Sequence, residues 1–125
     1  EGIVGPEVAT EFIALNMLDG IAMKPARNAG LWPSVQIVRE LQQHGLMVLG
    51  SGLTDPDFSL LGAAHLFAWS GIARPCALNG PQFLAERLCA DLMPAADILC
   101  LPTAPGLGIL PEARATACLR TVAQL

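Results

Sequence analysis

Apolar positions in this chain recur at helical spacing in some stretches and in short unbroken runs in others. From Gly5 to Leu15 they fall at Val8, Phe12, Ile13 and Leu15, with Glu7 and Glu11 between them. That spacing predicts a helix, for which Pro6 suits the first turn. Ile21-Ala22-Met23 is a short apolar run that predicts a buried strand ending at Lys24, and Pro25 stops further pairing there. A second helix is expected with Ser34 as its cap, Val35, Ile37, Val38 and Leu41 on its inner face and Gln36, Arg39, Glu40 and Gln42 toward water. Gly45 is its stop. Leu46 to Leu49 reads as the next strand, closed by Gly50-Ser51-Gly52.

Asp55-Pro56 predicts a cap and a first helical position. The helix that follows, Asp57 to about Trp69, is apolar on nearly every side and is expected to be packed on most of them. Gly71 ends it. Pro75 to Leu78 reads as a third strand turned by Asn79-Gly80-Pro81, with a helix near Gln82 to Ala90. Ile98 to Leu101 reads as a strand, Pro102 to Gly108 as a turn-rich loop and Glu112 to Leu125 as a weak helix. Helix and strand alternating in this way imply parallel strands with helical crossovers, in a doubly wound sheet or an eight-fold α/β barrel. On length the small doubly wound domain leads, because a barrel needs ~250 residues and this chain has 125.

Composition narrows the function classes. Apolar residues make up 53% and charged residues 14%, a balance that parallel strands buried on both faces would explain. A net charge of -4 with seven scattered basic residues argues against a nucleic-acid surface. No apolar run approaches the ~20 residues of a membrane span, and the amino end has no basic flank or long apolar core, so a cytoplasmic location is expected. Cys76, Cys89, Cys100 and Cys118 contain no C-x-x-C pair, which gives no support to a zinc ribbon or redox motif.

The only lysine in the chain is Lys24, at a predicted strand end, and Ala29-Gly30 stands five and six positions later. This resembles the lysine-then-Gly-Gly signature of the sixth barrel strand in the enolase superfamily, in its muconate-lactonizing-enzyme and mandelate-racemase branch. Gly50-Ser51 resembles the end of the seventh strand, and Gly62-Ala63-Ala64-His65-Leu66 the small-residue helix after it. Ala77-Leu78-Asn79-Gly80-Pro81 resembles the eighth-strand motif, and Leu101-Pro102 with Pro105-Gly106-Leu107-Gly108 the segment returning to the capping domain. The resemblance reverses the order of the two architectures. It implies the carboxyl-terminal half of a barrel, with residues 1–101 as partial barrel and 102–125 as return segment and helix. Glu1-Gly2 resembles the second half of an Asp-Glu pair, so a magnesium ligand is expected just before Glu1, and no metal ligand is expected within the chain itself.

The resemblance also implies the chemistry. Family members remove a proton alpha to a carboxylate and hold the enediolate on Mg2+. Lys24 would be the catalytic acid/base, and Ser51 and Asn79, at the other two strand ends, would touch the substrate. Family members that epimerise dipeptides tend to carry Asp-x-Asp at the eighth strand, where this chain has Ala77 and Asn79, so a small hydroxylated or sugar acid is the better expectation. The implied partners are the missing amino-terminal half or another copy of the chain, in a homo-oligomer. The expectation is therefore part of a magnesium-dependent isomerase or lyase, the 125 residues alone being inactive. The alternative is a truncated, non-catalytic member serving as a subunit or binding module.

The bland readings stand beside these. Lys24 can be a surface lysine reaching past a turn, and Ser51 and Asn79 are turn formers. Asp55 and Asp57 are expected to cap a helix amino end. His65 is expected to be a hydrogen-bonded core residue, and His44 a solvated partner of a helix end.

Overall fold

The computed structural model describes residues 2–89, 97–109, 116–117 and 120. Helix α1 spans Pro6–Ala14, strand β1 Gly20–Met23, helix α2 Leu31–Gln43, strand β2 Met47–Gly50 and helix α3 Asp57–Ser70. A 3-10 turn follows at Gly80–Phe83. Strands β1 and β2 pair in parallel with Met23 opposite Gly50. The ladder runs on through Ser51, whose N–H donates to the Met23 carbonyl at 2.9 Å, and a single parallel bridge joins Ser51 to Ala77.

Helices α1, α2 and α3 lie on one side of this sheet. Ile21, Met23 and Val48 point toward them and meet Ala9 and Ile13 of α1, Ile37, Val38 and Leu41 of α2, and Ala63, Leu66 and Phe67 of α3. Fully burying side chains such as Met23, Ile37 and Leu41 contributes about 1.5–3 kcal/mol each. On α3, Leu60 and Leu61 face a second cluster with Leu78, Leu99, Leu101, Leu107 and Ile109, which docks residues 99–109 on the helix. The opposite side of the sheet is bare. Ala22, Met47 and Leu49 alternate with the buried positions and are exposed, as period-two strands require.

Several local expectations are corrected. Helix α2 begins three residues before Ser34, from Gly30 at φ 98°; the Ser34 hydroxyl instead donates to the Gly30 carbonyl at 2.7 Å inside the first turn. The cap of α3 is Pro56, with no side-chain cap bond, so neither Asp55 nor Asp57 acts as predicted. The third strand amounts to the one bridge at Ala77. Beyond it, Gln82 to Cys89 does not form the expected helix. The N–H groups of Leu88 and Cys89, which a helix would aim at carbonyls four residues back, are taken by the Asp57 carboxylate. Ile98 to Leu101 shows one bridge position, at Ile98, and no strand; Leu99 and Leu101 serve as apolar packing on α3. Ala90 and nearly all of Glu112 to Leu125 lie outside the described residues.

Candidate functional site

The carboxyl end of the sheet gathers the residues singled out by sequence. Met23 is fully buried on the helix side, so Lys24, next along an alternating strand, falls on the bare face and is half-buried. Ser51 follows buried Gly50 in the same way. One further step of the β1–β2 register sets Lys24 level with Ser51, and the bridge sets Ala77 level with Ser51 on its other side. Asn79 stands two residues past Ala77, exposed, where the strand turns into the 3-10 segment. Lys24, Ser51 and Asn79 therefore share one end and one face. No hydrogen bond joins their side chains, and among the described residues the Lys24 ammonium has no ion-pair partner.

The turn after Lys24 is rigidly specified. The Lys24 carbonyl accepts from the N–H of Arg27 at 2.7 Å and of Asn28 at 3.0 Å. Asn28 is 4% exposed; its side-chain oxygen accepts the Lys24 N–H at 2.9 Å, and its amide donates to the Ile3 carbonyl. This single side chain ties the lysine to the segment that enters α1. The sequence pattern did not single out Asn28; an Asn two residues before Gly30 in a turn was the signal available. Ala29 itself sits at φ 64°. A groove of about 280 Å³ runs along the free edge of β1, lined among others by Ile3, Phe12, Met17, Gly20, Lys24 and Arg27.

The start of α3 braces the other two strand ends. Asp55 closes its own loop, accepting from the Leu53 N–H at 2.6 Å and the Ser59 hydroxyl at 2.9 Å. Gly80 lies so close that an added Cβ would stand 2.5 Å from the Asp55 backbone. Asp57, completely buried, accepts from Arg87 Nη2 at 2.7 Å and Nε at 3.2 Å, and from the N–H groups of Leu88 at 2.8 Å and Cys89 at 3.0 Å. Burial pushes the Asp57 pKa up, but the bonds from Arg87, Cys89 and Leu88 more than offset it and hold the carboxyl below its ordinary value. Cys76 lies half-buried beside Gly50, and burial pushes its thiol pKa up. His65 departs from expectation: its Nε2 is buried without a hydrogen-bond partner among the described residues. His44 is exposed at the end of α2, Nδ1 2.9 Å from the Glu40 carbonyl, as expected.

Among the described residues no group of three or more His, Cys, Asp or Glu could hold a metal ion, and no helix is long and apolar enough to cross a membrane.

No family model matches the sequence. Over 111 residues the chain is 29% identical to muconate cycloisomerase 1-1 of Acinetobacter lwoffii, a match covering 87% of this chain and 29% of that protein. In structure it is similar to a muconate cycloisomerase variant, with a TM-score of 0.83 at 23% identity over 92% of this chain and 32% of the other. It also matches the N-succinyl Arg/Lys racemase of Bacillus cereus, with a TM-score of 0.81 at 19% identity over 93% of this chain and 31% of the other. The chain thus spans under a third of the length of these proteins. Its fold is a piece of their eight-fold α/β barrel and not a small doubly wound domain.

Proposed function

We infer that this chain, a relative of the muconate-lactonizing and mandelate-racemase branch of the enolase superfamily that spans the carboxyl-terminal part of the barrel, forms one wall of an isomerase or lyase site for proton transfer alpha to a carboxylate. The observation that carries this reading is the shared register of Lys24 and Ser51, with Asn79 beyond, on the bare face at the carboxyl end of the strands. That is where α/β barrels keep their chemistry. In this reading Lys24 takes and returns the alpha proton, needing its neutral amine to act as base. Ser51 and Asn79 hold the substrate by hydrogen bonds from neutral side chains. Neither Ala77 nor Asn79 carries a charge to hold a substrate ammonium, which favours a hydroxylated or sugar acid.

Magnesium dependence belongs to the proposal with a restriction: the described residues do not provide a ligand set, so the ion would be held by another part of the barrel. The same holds for the partner. The bare sheet face and the groove beside β1 fit the amino-terminal part of a barrel better than another copy of this chain, because two copies repeat the same three strand ends without adding the others. A cytoplasmic setting is proposed with it, in keeping with the free thiols of Cys76 and Cys100.

The test is a chimera in which this chain replaces the matching part of the Acinetobacter lwoffii enzyme, incubated with Mg2+ and a panel of hydroxy and sugar acids in deuterated water. Exchange of an alpha proton is expected, falling by ~10²–10⁴-fold in Lys24→Ala. Undiminished exchange in that variant overturns the role of Lys24. The second reading is a non-catalytic subunit or binding module; among the described residues no ligand set stands against it. A folded chimera that binds one of these acids without exchanging any proton would support it.

A further inference from the structure

The rim at Asn79 presents a mechanical problem. Strand β1 is held to β2 over four register pairs, whereas the segment that carries Asn79 is held to the sheet by one bridge, at Ala77. A single bridge is too little pairing to fix a side chain two residues further on. We propose that Asp57 is the positioning residue for this rim: its buried carboxylate fastens the chain downstream of Asn79 to the amino end of α3.

Three features converge on it. The carboxylate is completely buried and receives Arg87 through two guanidinium nitrogens and the backbone through Leu88 and Cys89. Charge-assisted bonds of this kind are short and about twice as strong as neutral ones. Upstream, Gly80 abuts the Asp55 backbone, and both Gly80 and Pro81 are buried. The ten residues from Gly80 to Cys89 are therefore gripped at both ends by a three-residue stretch, Asp55 to Asp57, and Asn79 is the first residue outside the grip. Finally, Asp57 opens α3, which buries Leu60, Leu61, Ala63, Ala64, Leu66 and Phe67, so the fastening point is anchored in the core. Asn79 is thus placed by the preceding helix and not by its own strand.

The proposal rests on the reading of Asn79 as a substrate contact only for its purpose; its test needs no activity. The 125-residue chain, carrying Leu49→Glu to limit association through the exposed sheet face, is labelled with ¹⁵N and compared with the same chain bearing Asp57→Asn or Arg87→Met. The expected result is a shift of the Asn79 side-chain amide and of the Gly80 and Gln82 amides, with the amides of Leu88 and Cys89 exchanging ~10–100-fold faster. Signals of Ile13 and Met23 stay put, and Arg87→Lys restores part of the Asn79 shift that Arg87→Met causes. Unmoved Asn79 signals in Arg87→Met overturn the proposal. So does exchange that accelerates equally in α1 and β1, which would mean that the pair only stabilises the whole fold. Should Asp57→Asn fail to fold, the half-buried Arg87 variants still decide it. Failure here leaves Lys24 untouched, just as absence of proton exchange in the chimera leaves the placement of Asn79 untouched.

Discussion

Ala29 holds a left-handed conformation, φ 64°, directly after the buried Asn28 that fixes Lys24. A β-carbon there costs about 1–2 kcal/mol, while glycine returns about 0.4–1 kcal/mol through its freer unfolded chain. Because Ala29 is exposed, no burial is lost, and Ala29→Gly is expected to stabilise by up to about 1 kcal/mol, read as a higher urea midpoint at unchanged slope. Asp57 gives a second expectation. Its folded pKa is depressed, so the stability it contributes is present above the unfolded carboxylate pKa and is lost as pH falls through the folded value. Urea titrations on the acid side of pH 4 should show wild type losing more stability than Asp57→Asn, which starts lower and is flatter. Thiol labelling at pH 8 should run Cys100, then Cys76, then Cys89, following their exposed, intermediate and buried states and the raised pKa of Cys76. At this scale the strand-end placement of Lys24 and Ser51 was legible, because a short apolar run and the turn that follows it are local. The partners of Asp57 were not, because Arg87 lies 30 positions away and nothing local distinguishes a capping carboxylate from one that reaches across.

Among the elements, α1 formed where its helical spacing placed it, α2 did so from three residues earlier, and α3 filled the long apolar run between Pro56 and Gly71, with β1 and β2 between the helices. What sequence missed lies after Gly71, where short apolar runs carry no period long enough to separate strand from packed coil. Ala77 pairs once, and Leu99 and Leu101 fill space on α3. The helix expected from Gln82 gave way because a buried anion competes for the N–H groups it needed. Gly80 locates the sensitive point of this region. Gly80→Ala drives a Cβ into the Asp55 backbone, an overpacking expected to cost about 1–3 kcal/mol. Thermal unfolding should show that loss, whereas Gly106→Ala, with nothing near its added Cβ, should lose only what its positive φ demands.

As a whole, the chain buries one side of its sheet and leaves Met47 at 43% and Leu49 at 37% exposed on the other. Open parallel edges and bare apolar faces are association surfaces. At tens of micromolar, light scattering is expected to find the 125-residue chain associated, with Leu49→Glu shifting it toward monomer while melting no earlier; a monomeric wild type would show that the face is tolerated in water. Lys24 sits at the end of that same face as the chain's sole ε-amine. Reductive methylation can therefore modify, apart from the α-amino group, one nitrogen only. The rate of that single reaction becomes a clock for the assembly, fast while the strand ends are open and slow once another part of a barrel, or a bound acid, covers them.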